Sequence, residues 1–245
     1  MEREGNRTLK LYGLKESSIT RVLRDLSKEN DDITRESHPH LSENHITISL
    51  RDHDSSLAEK KLDRAEKEIR DLLGPFIFAS GDQSMEGLVG TMLSKRDLTI
   101  SVAESCTGGL IGDRLTDVPG SSRYFKGGVI AYSNQAKVEL LDVSPGCLEE
   151  HGAVSDQTVR EMAEGVRKQF RSHIGIAVSG IAGPDGGSRE KPVGTVYIGM
   201  SAGEEIFSAG YCFQGARKQV KHNSSTMVLD WVRRHLNGDP FLPGL

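Results

Sequence analysis

Leu98-Thr99-Ile100-Ser101-Val102-Ala103-Glu104-Ser105-Cys106-Thr107-Gly108-Gly109 begins as a short apolar, β-branched run and ends in a polar turn with paired glycines. A run of that length closed by glycine predicts a strand over Leu98 to Ala103 that feeds a helix. Such a junction can present backbone N–H groups and the positive end of a helix dipole to a phosphate or a developing oxyanion. Thr107, Gly108 and Gly109 are therefore candidate substrate-binding residues. A purely structural turn would have the same composition.

Outward from this stretch, strands are expected at Gly128 to Tyr132, Ile174 to Val178 and Val193 to Met200. Between them, Ser155 is an N-cap for a helix whose Val159, Met162, Ala163, Val166 and Phe170 form one apolar stripe. A last helix, about Arg217 to His235, presents Val220, Met227, Val228, Trp231 and Val232 and stops at Asn237-Gly238-Asp239-Pro240. Strands separated by helices predict a three-layer α/β domain over residues 84–240. Ahead of the polar turn Ser80-Gly81-Asp82-Gln83, residues 1–80 predict a small α+β domain. Its strands fall at Thr8 to Tyr12, His45 to Leu50 and Phe76 to Ala79. One helix is expected at about Ser17 to Ser27, and a second carries Leu62, Ala65, Ile69 and Leu72 toward the core.

The 245 residues carry a net charge of -4 with 36% hydrophobic and 27% charged residues, a composition that supports packed cores. The acidic balance, with a pI near 6.1, disfavours nucleic acid and anionic membrane as general partners. No run reaches the roughly 18 apolar residues of a membrane span, and the start is unlike a secretory signal, so a cytoplasmic location is expected. Cys106, Cys147 and Cys212 lack disulfide or zinc spacing and are expected as thiols. His38, His40 and His45 fall in a polar stretch read as a loop, and no metal site or cofactor is expected from them.

Three segments could carry chemistry. The first contains Ser105. In the second, Gly120-Ser121-Ser122 precedes Tyr132-Ser133-Asn134-Gln135-Ala136-Lys137. A serine needs a base, and a lysine of lowered pKa assisted by a tyrosine can serve where no histidine is at hand; the alternative is a solvated, protonated lysine. The third is Ser179-Gly180-Ile181-Ala182-Gly183-Pro184-Asp185-Gly186-Gly187, directly after a strand. Open α/β sheets bind ligands beyond the carboxyl ends of their strands, so Ser179 and Gly180 would share a crevice with Ser105; a flexible turn is the alternative. Arg217, opening the last helix, either clamps phosphate or decorates the surface.

Taken together, AESCTGG, GSS, YSNQAK, HGAVS, SGIAGPDGGS and KPVGTV in this order closely resemble the CinA C-terminal domain over residues 84–236. Residues before 80 are similar to the KH-like segment of longer CinA proteins, whose upstream molybdopterin-binding-like domain has no counterpart in this sequence. The resemblance implies a homodimeric amidohydrolase that converts nicotinamide mononucleotide to nicotinic acid mononucleotide and ammonia. Carried over by motif, the functional positions are Ser105, Ser122, Tyr132, Lys137, Ser179 and Arg217. Ser122 is favoured as nucleophile on an expected association with Lys137, and Ser105 is the other candidate. Lys221 departs from the second arginine of many relatives, which weakens a bidentate phosphate contact there. Two competing readings are a Cys106 thiolate nucleophile activated at a helix start and a catalytically silent nucleotide-binding protein. RNA-binding KH domains clamp backbone with a Gly-X-X-Gly loop; none occurs before Gly74, so a scaffold or dimer-forming module is expected.

Overall fold

The computed structural model describes residues 3–27, 32–52 and 55–244. In chain order its elements are β1 (Arg3–Leu11), α1 (Glu16–Leu26), β2 (Ile33–His40), β3 (Glu43–Asp52), α2 (Ser55–Leu73), β4 (Ile77–Ser80), α3 (Met85–Lys95), β5 (Ile100–Glu104), α4 (Leu110–Thr116), β6 (Phe125–Ile130), α5 (Asn134–Leu141), α6 (Pro145–His151), α7 (Asp156–Phe170), β7 (Ile174–Gly180), β8 (Thr195–Ala202), β9 (Glu205–Cys212) and α8 (Arg217–Asn237). They form two compact units, Met1–Met85 and Glu86–Leu245. Among the described residues no helix is long and apolar enough to cross a membrane.

The first unit is an antiparallel sheet of order β2-β3-β1-β4. One sheet face supplies Leu9, Leu11, Ile46, Ile48 and Leu50, and α1 and α2 close over it with Ile19, Leu23, Leu62, Ala65 and Ile69. The stripe of α2 ends on buried Leu73, whereas Leu72, expected inside, is 57% exposed. At about 100° per residue, Leu73 lies about 40° around the helix from Ile69 and Leu72 about 60°, and the sheet lies under the Leu73 flank. The stretch read as a loop contains β2, which pairs with β3 through a two-residue turn at Leu41 and Ser42. As an edge strand, β2 tolerates Pro39 and needs little apolar character. Its inward Arg35 lies opposite Ile48 and reaches Glu68 of α2.

The second unit is a five-stranded sheet of order β6-β5-β7-β8-β9. Strands β6, β5 and β7 run parallel, and β8 and β9 return antiparallel. On one face α7 buries Val159, Met162, Ala163 and Val166 against Ala103 and Ala177, joined by Leu141 and Val143. Its N-cap is Ser155, whose Oγ accepts from Thr158 N at 3.2 Å. Gly175 and Gly199 let α7 lie close: a Cβ on either would meet a backbone oxygen of α7 at 2.2 or 2.3 Å. Helices α4 and α8 pack together and touch β5 and β7, respectively. The edge strand β9 was not expected from the sequence; it follows β8 through a turn at Gly203.

Candidate active site

Strand β5 is buried throughout and continues in register beyond its last residue, since Ser105 N donates to Val178 O of β7 at 3.0 Å. The chain then turns through Gly108 (φ 62°) and Gly109 (φ 97°), left-handed conformations that suit glycine. Glu104 holds the turn closed. Its buried carboxylate accepts from Gly109 N (3.0 Å), Ile111 N (3.1 Å) and Gly112 N (2.8 Å), the first donors of α4. These N–H groups were expected to meet a phosphate or oxyanion, and the protein's own carboxylate occupies them. Position alone gave a signal for Glu104: an acid just ahead of a glycine turn into a helix complements the helix dipole.

Next to β5, β6 ends at Ile130, and Ser133 caps α5 by accepting from Ala136 N at 3.0 Å. This cap turns Lys137 inward, and the residue is 1% exposed. Lys137 Nζ donates to Ala131 O at 2.9 Å and lies 3.2 Å from Ser105 Oγ. Burial pushes the amine below the usual lysine range, and Cys106 acts in the opposite sense without outweighing it. Among the described residues no carboxylate lies within 4.0 Å to hold the charged form. As an ammonium, Lys137 donates to Ser105. As a neutral amine, it offers its lone pair to the serine proton along the same contact.

The other expected residues occupy distinct places. Tyr132 is 60% exposed, and its hydroxyl accepts from Arg217 Nη2 at 2.9 Å rather than meeting Lys137. Arg217 Nη1 donates to Gly183 O at 2.7 Å, so this arginine ties the β6–α5 turn to the loop after β7. Ser179 is buried and donates to Ala153 O at 2.6 Å. At Gly180 a Cβ would lie 2.6 Å from Val196 and 2.8 Å from Thr195 O, so this glycine serves close strand packing. Thr107 is fully buried, and its hydroxyl has no protein hydrogen-bond partner among the described residues. Thr195, not singled out from the sequence, has the same property. Lys221 Nζ lies 3.7 Å from where a Cβ on Gly108 would stand. Burial and the positive charges of Arg114, Lys218 and Lys221 push the nearby His222 down.

Ser122 lies elsewhere. It sits in the exposed turn Ser121–Arg123 ahead of β6, whereas Lys137 follows the other end of that strand. At about 3.3 Å per residue, the five steps of a six-residue strand separate its ends by about 17 Å. The expected association of Ser122 with Lys137 is therefore not made within one chain. The Cys106 alternative is also disfavoured, because burial pushes this thiol up to about 12 instead of producing a thiolate. The remaining residues gather at the carboxyl ends of the three parallel strands, where open α/β sheets take their ligands.

A family model described as the CinA C-terminal domain matches residues 82–236, and one described as the damage-inducible protein CinA KH domain matches residues 6–79. A putative competence-damage inducible protein of Caldanaerobacter subterraneus subsp. tengcongensis is 40% identical over 235 residues, which is 95% of this chain and 56% of that protein. A CinA-like protein of Syntrophus aciditrophicus is 42% identical over 231 residues, 94% of this chain and 55% of that protein. The chain thus spans little more than half the length of these relatives. Among solved structures, a competence/damage inducible protein from Agrobacterium tumefaciens is 36% identical with a TM-score of 0.61, covering 62% of this chain and 93% of that one. A CinA superfamily protein from Klebsiella pneumoniae is 30% identical with a TM-score of 0.61, covering 64% of this chain and 99% of that one. With both segments matched in order and the second unit's fold shared, the chain belongs to the CinA family.

Proposed function

We propose that this chain hydrolyses the carboxamide of nicotinamide mononucleotide, releasing nicotinic acid mononucleotide and ammonia. The observation that carries this reading is the buried Lys137–Ser105 pair, an amine with no carboxylate within 4.0 Å among the described residues, placed 3.2 Å from a hydroxyl. Neutral Lys137 takes the proton as Ser105 Oγ attacks the amide carbon. Collapse of the tetrahedral intermediate breaks the C–N bond, and the proton held by Lys137 passes to the departing nitrogen, giving ammonia. Water then gives a proton to Lys137 and attacks the acyl ester, and Ser105 is regenerated with the free acid. The pyridinium ring withdraws electrons from the carbonyl, so a modest nucleophile suffices.

Arg217, Lys218 and Lys221 share the start of α8, and Lys221 reaches over Gly108 beside Ser105. They suit a phosphate at the other end of the substrate, a role that the Glu104-occupied start of α4 does not serve. Tyr132 positions Arg217 in this arrangement instead of relaying a proton. The homodimer implied by the resemblance is supported by apolar exposure on and beside the edge strand: Ile130 is 56% and Leu140 46% exposed.

The test is ammonia release from nicotinamide mononucleotide by the full chain and its single variants. Ser105→Ala is expected to abolish acyl-enzyme formation while Ser122→Ala retains it. Trapping the acyl group on Ser122 would overturn the assignment to Ser105. In that case, mixing Lys137→Met with Ser122→Ala chains restores turnover, because one copy supplies Ser122 to the other's lysine. No ammonia from the folded wild-type chain would overturn the hydrolase reading itself.

A further inference from the structure

Strands β2 and β3 pair so that His40 faces Glu43 and His38 faces His45 across the antiparallel ladder. Alternation along each strand puts these four side chains on one face, opposite the face that buries Ile46, Ile48 and Leu50. The two-residue turn at Leu41 and Ser42 brings the strand ends together; Leu41 takes φ 52° and is 81% exposed. The His40 and His45 rings stack with centroids 4.7 Å apart and planes 16° from parallel. His45 Nε2 lies 3.3 Å from Glu43 Oε2. One ligand atom from each of His40, Glu43 and His45 lies within 4.8 Å of the other two.

We infer that this hairpin binds one divalent transition ion of the zinc class through His40, Glu43 and His45. Two imidazoles and a carboxylate form a borderline donor set that suits Zn2+, Ni2+ or Co2+ better than Mg2+ or Ca2+. Tetrahedral ligands at about 2.0–2.2 Å from an ion stand about 3.4 Å apart, so the cluster needs a contraction of little more than 1 Å. The exposed His40 side chain can supply it by rotating about χ1 and χ2. A competing cation, Lys10, lies opposite His45 on β1, and its Nζ donates to Gln83 O at 3.0 Å. A bound ion would pin the edge strand β2, which contributes few apolar side chains, to β3. This inference concerns the first unit and is independent of the hydrolase reading.

The test uses the full chain freed of any affinity-tag histidines and stripped with a chelator, with Zn2+ titrated against a chromophoric competitor and Co2+ followed by its visible absorption. One equivalent of Zn2+ is expected, with affinity falling at least tenfold in each of His40→Gln, Glu43→Gln and His45→Gln and unchanged in His151→Gln of α6. His40→Gln is decisive because this exposed side chain can be replaced with the hairpin intact, which the circular dichroism spectrum checks. Absence of stoichiometric binding, or binding that survives in a folded His40→Gln chain, would overturn the inference.

Discussion

Lys137→Met removes the amine and keeps an unbranched chain of similar length in the same buried slot. Two structural effects oppose each other. The substitution leaves Ala131 O without its 2.9 Å donor, and an unsatisfied buried carbonyl costs about 1–3 kcal/mol. It also removes an amine that burial disfavours in its charged form, where each tenfold difference in proton affinity between folded and unfolded chains is worth about 1.4 kcal/mol. Because the two effects have opposite signs, the net destabilisation at neutral pH is expected to be smaller than the roughly 1–3 kcal/mol of the lost hydrogen bond alone, and the variant is expected to fold. The sign with pH follows from the lowered folded pKa of Lys137. Between that value and the unfolded pKa of about 10.4 the unfolded wild-type chain binds more protons than the folded one. Wild-type stability therefore gains from this group as pH rises through the window, and the variant's relative stability falls over the same range. Turnover should fall by about 10²–10⁴-fold, the usual worth of a positioned general base, and the wild-type rise of kcat/KM with pH should flatten. Denaturant unfolding at pH 7 and pH 10, with ammonia release across that range, checks both. A folded Lys137→Met chain that keeps a tenth of wild-type turnover with the same pH limb would refute the reasoning.

Glu104→Gln should weaken the α4 turn, because the carboxamide presents one acceptor oxygen where the carboxylate serves three N–H groups through two. A loss of about 2–3 kcal/mol is expected, read as a fall in Tm, together with reduced turnover because Ser105 adjoins the loosened turn. Cys106→Ala should keep most of the turnover, and iodoacetamide near pH 8 should leave the folded wild-type active, as a buried thiol near 12 presents little thiolate. Asp230→Asn should destabilise the second unit by about 3–5 kcal/mol, because Asp230 is fully buried between Arg233 at 2.7 Å and Arg234 at 2.6 Å. Equilibrium unfolding in urea measures it, and a change below 1 kcal/mol would contradict the buried-pair argument.

Local pattern alone determined the elements whose cause is local. The Ser155 cap and apolar stripe of α7 were legible because a capped amphipathic helix writes its period into the sequence, and strands β5 and β7 because both faces are covered and the residues run apolar. Strand β2 was not legible: an edge strand bearing one strongly apolar residue, Ile33, gains its structure from pairing with β3 rather than from its own composition. The chemistry divides the same way. Sequence placed Ser105, Ser179 and Lys137 near strand ends, but burial of the lysine depends on how α5 packs against α7 and brings Lys137 to Ser105 and Ala131, and tertiary packing alone decides that. Only the folded chain shows that Glu104 takes the helix donors expected for an anion, that Tyr132 serves Arg217, and that a six-residue strand stands between Ser122 and Lys137. The Tyr132–Arg217 contact and the separation of Ser122 from Lys137 are relations between segments that the chain brings together or holds apart only on folding, and these have no local signature, whereas the Glu104 turn closes within eight residues and left one in the position of the acid.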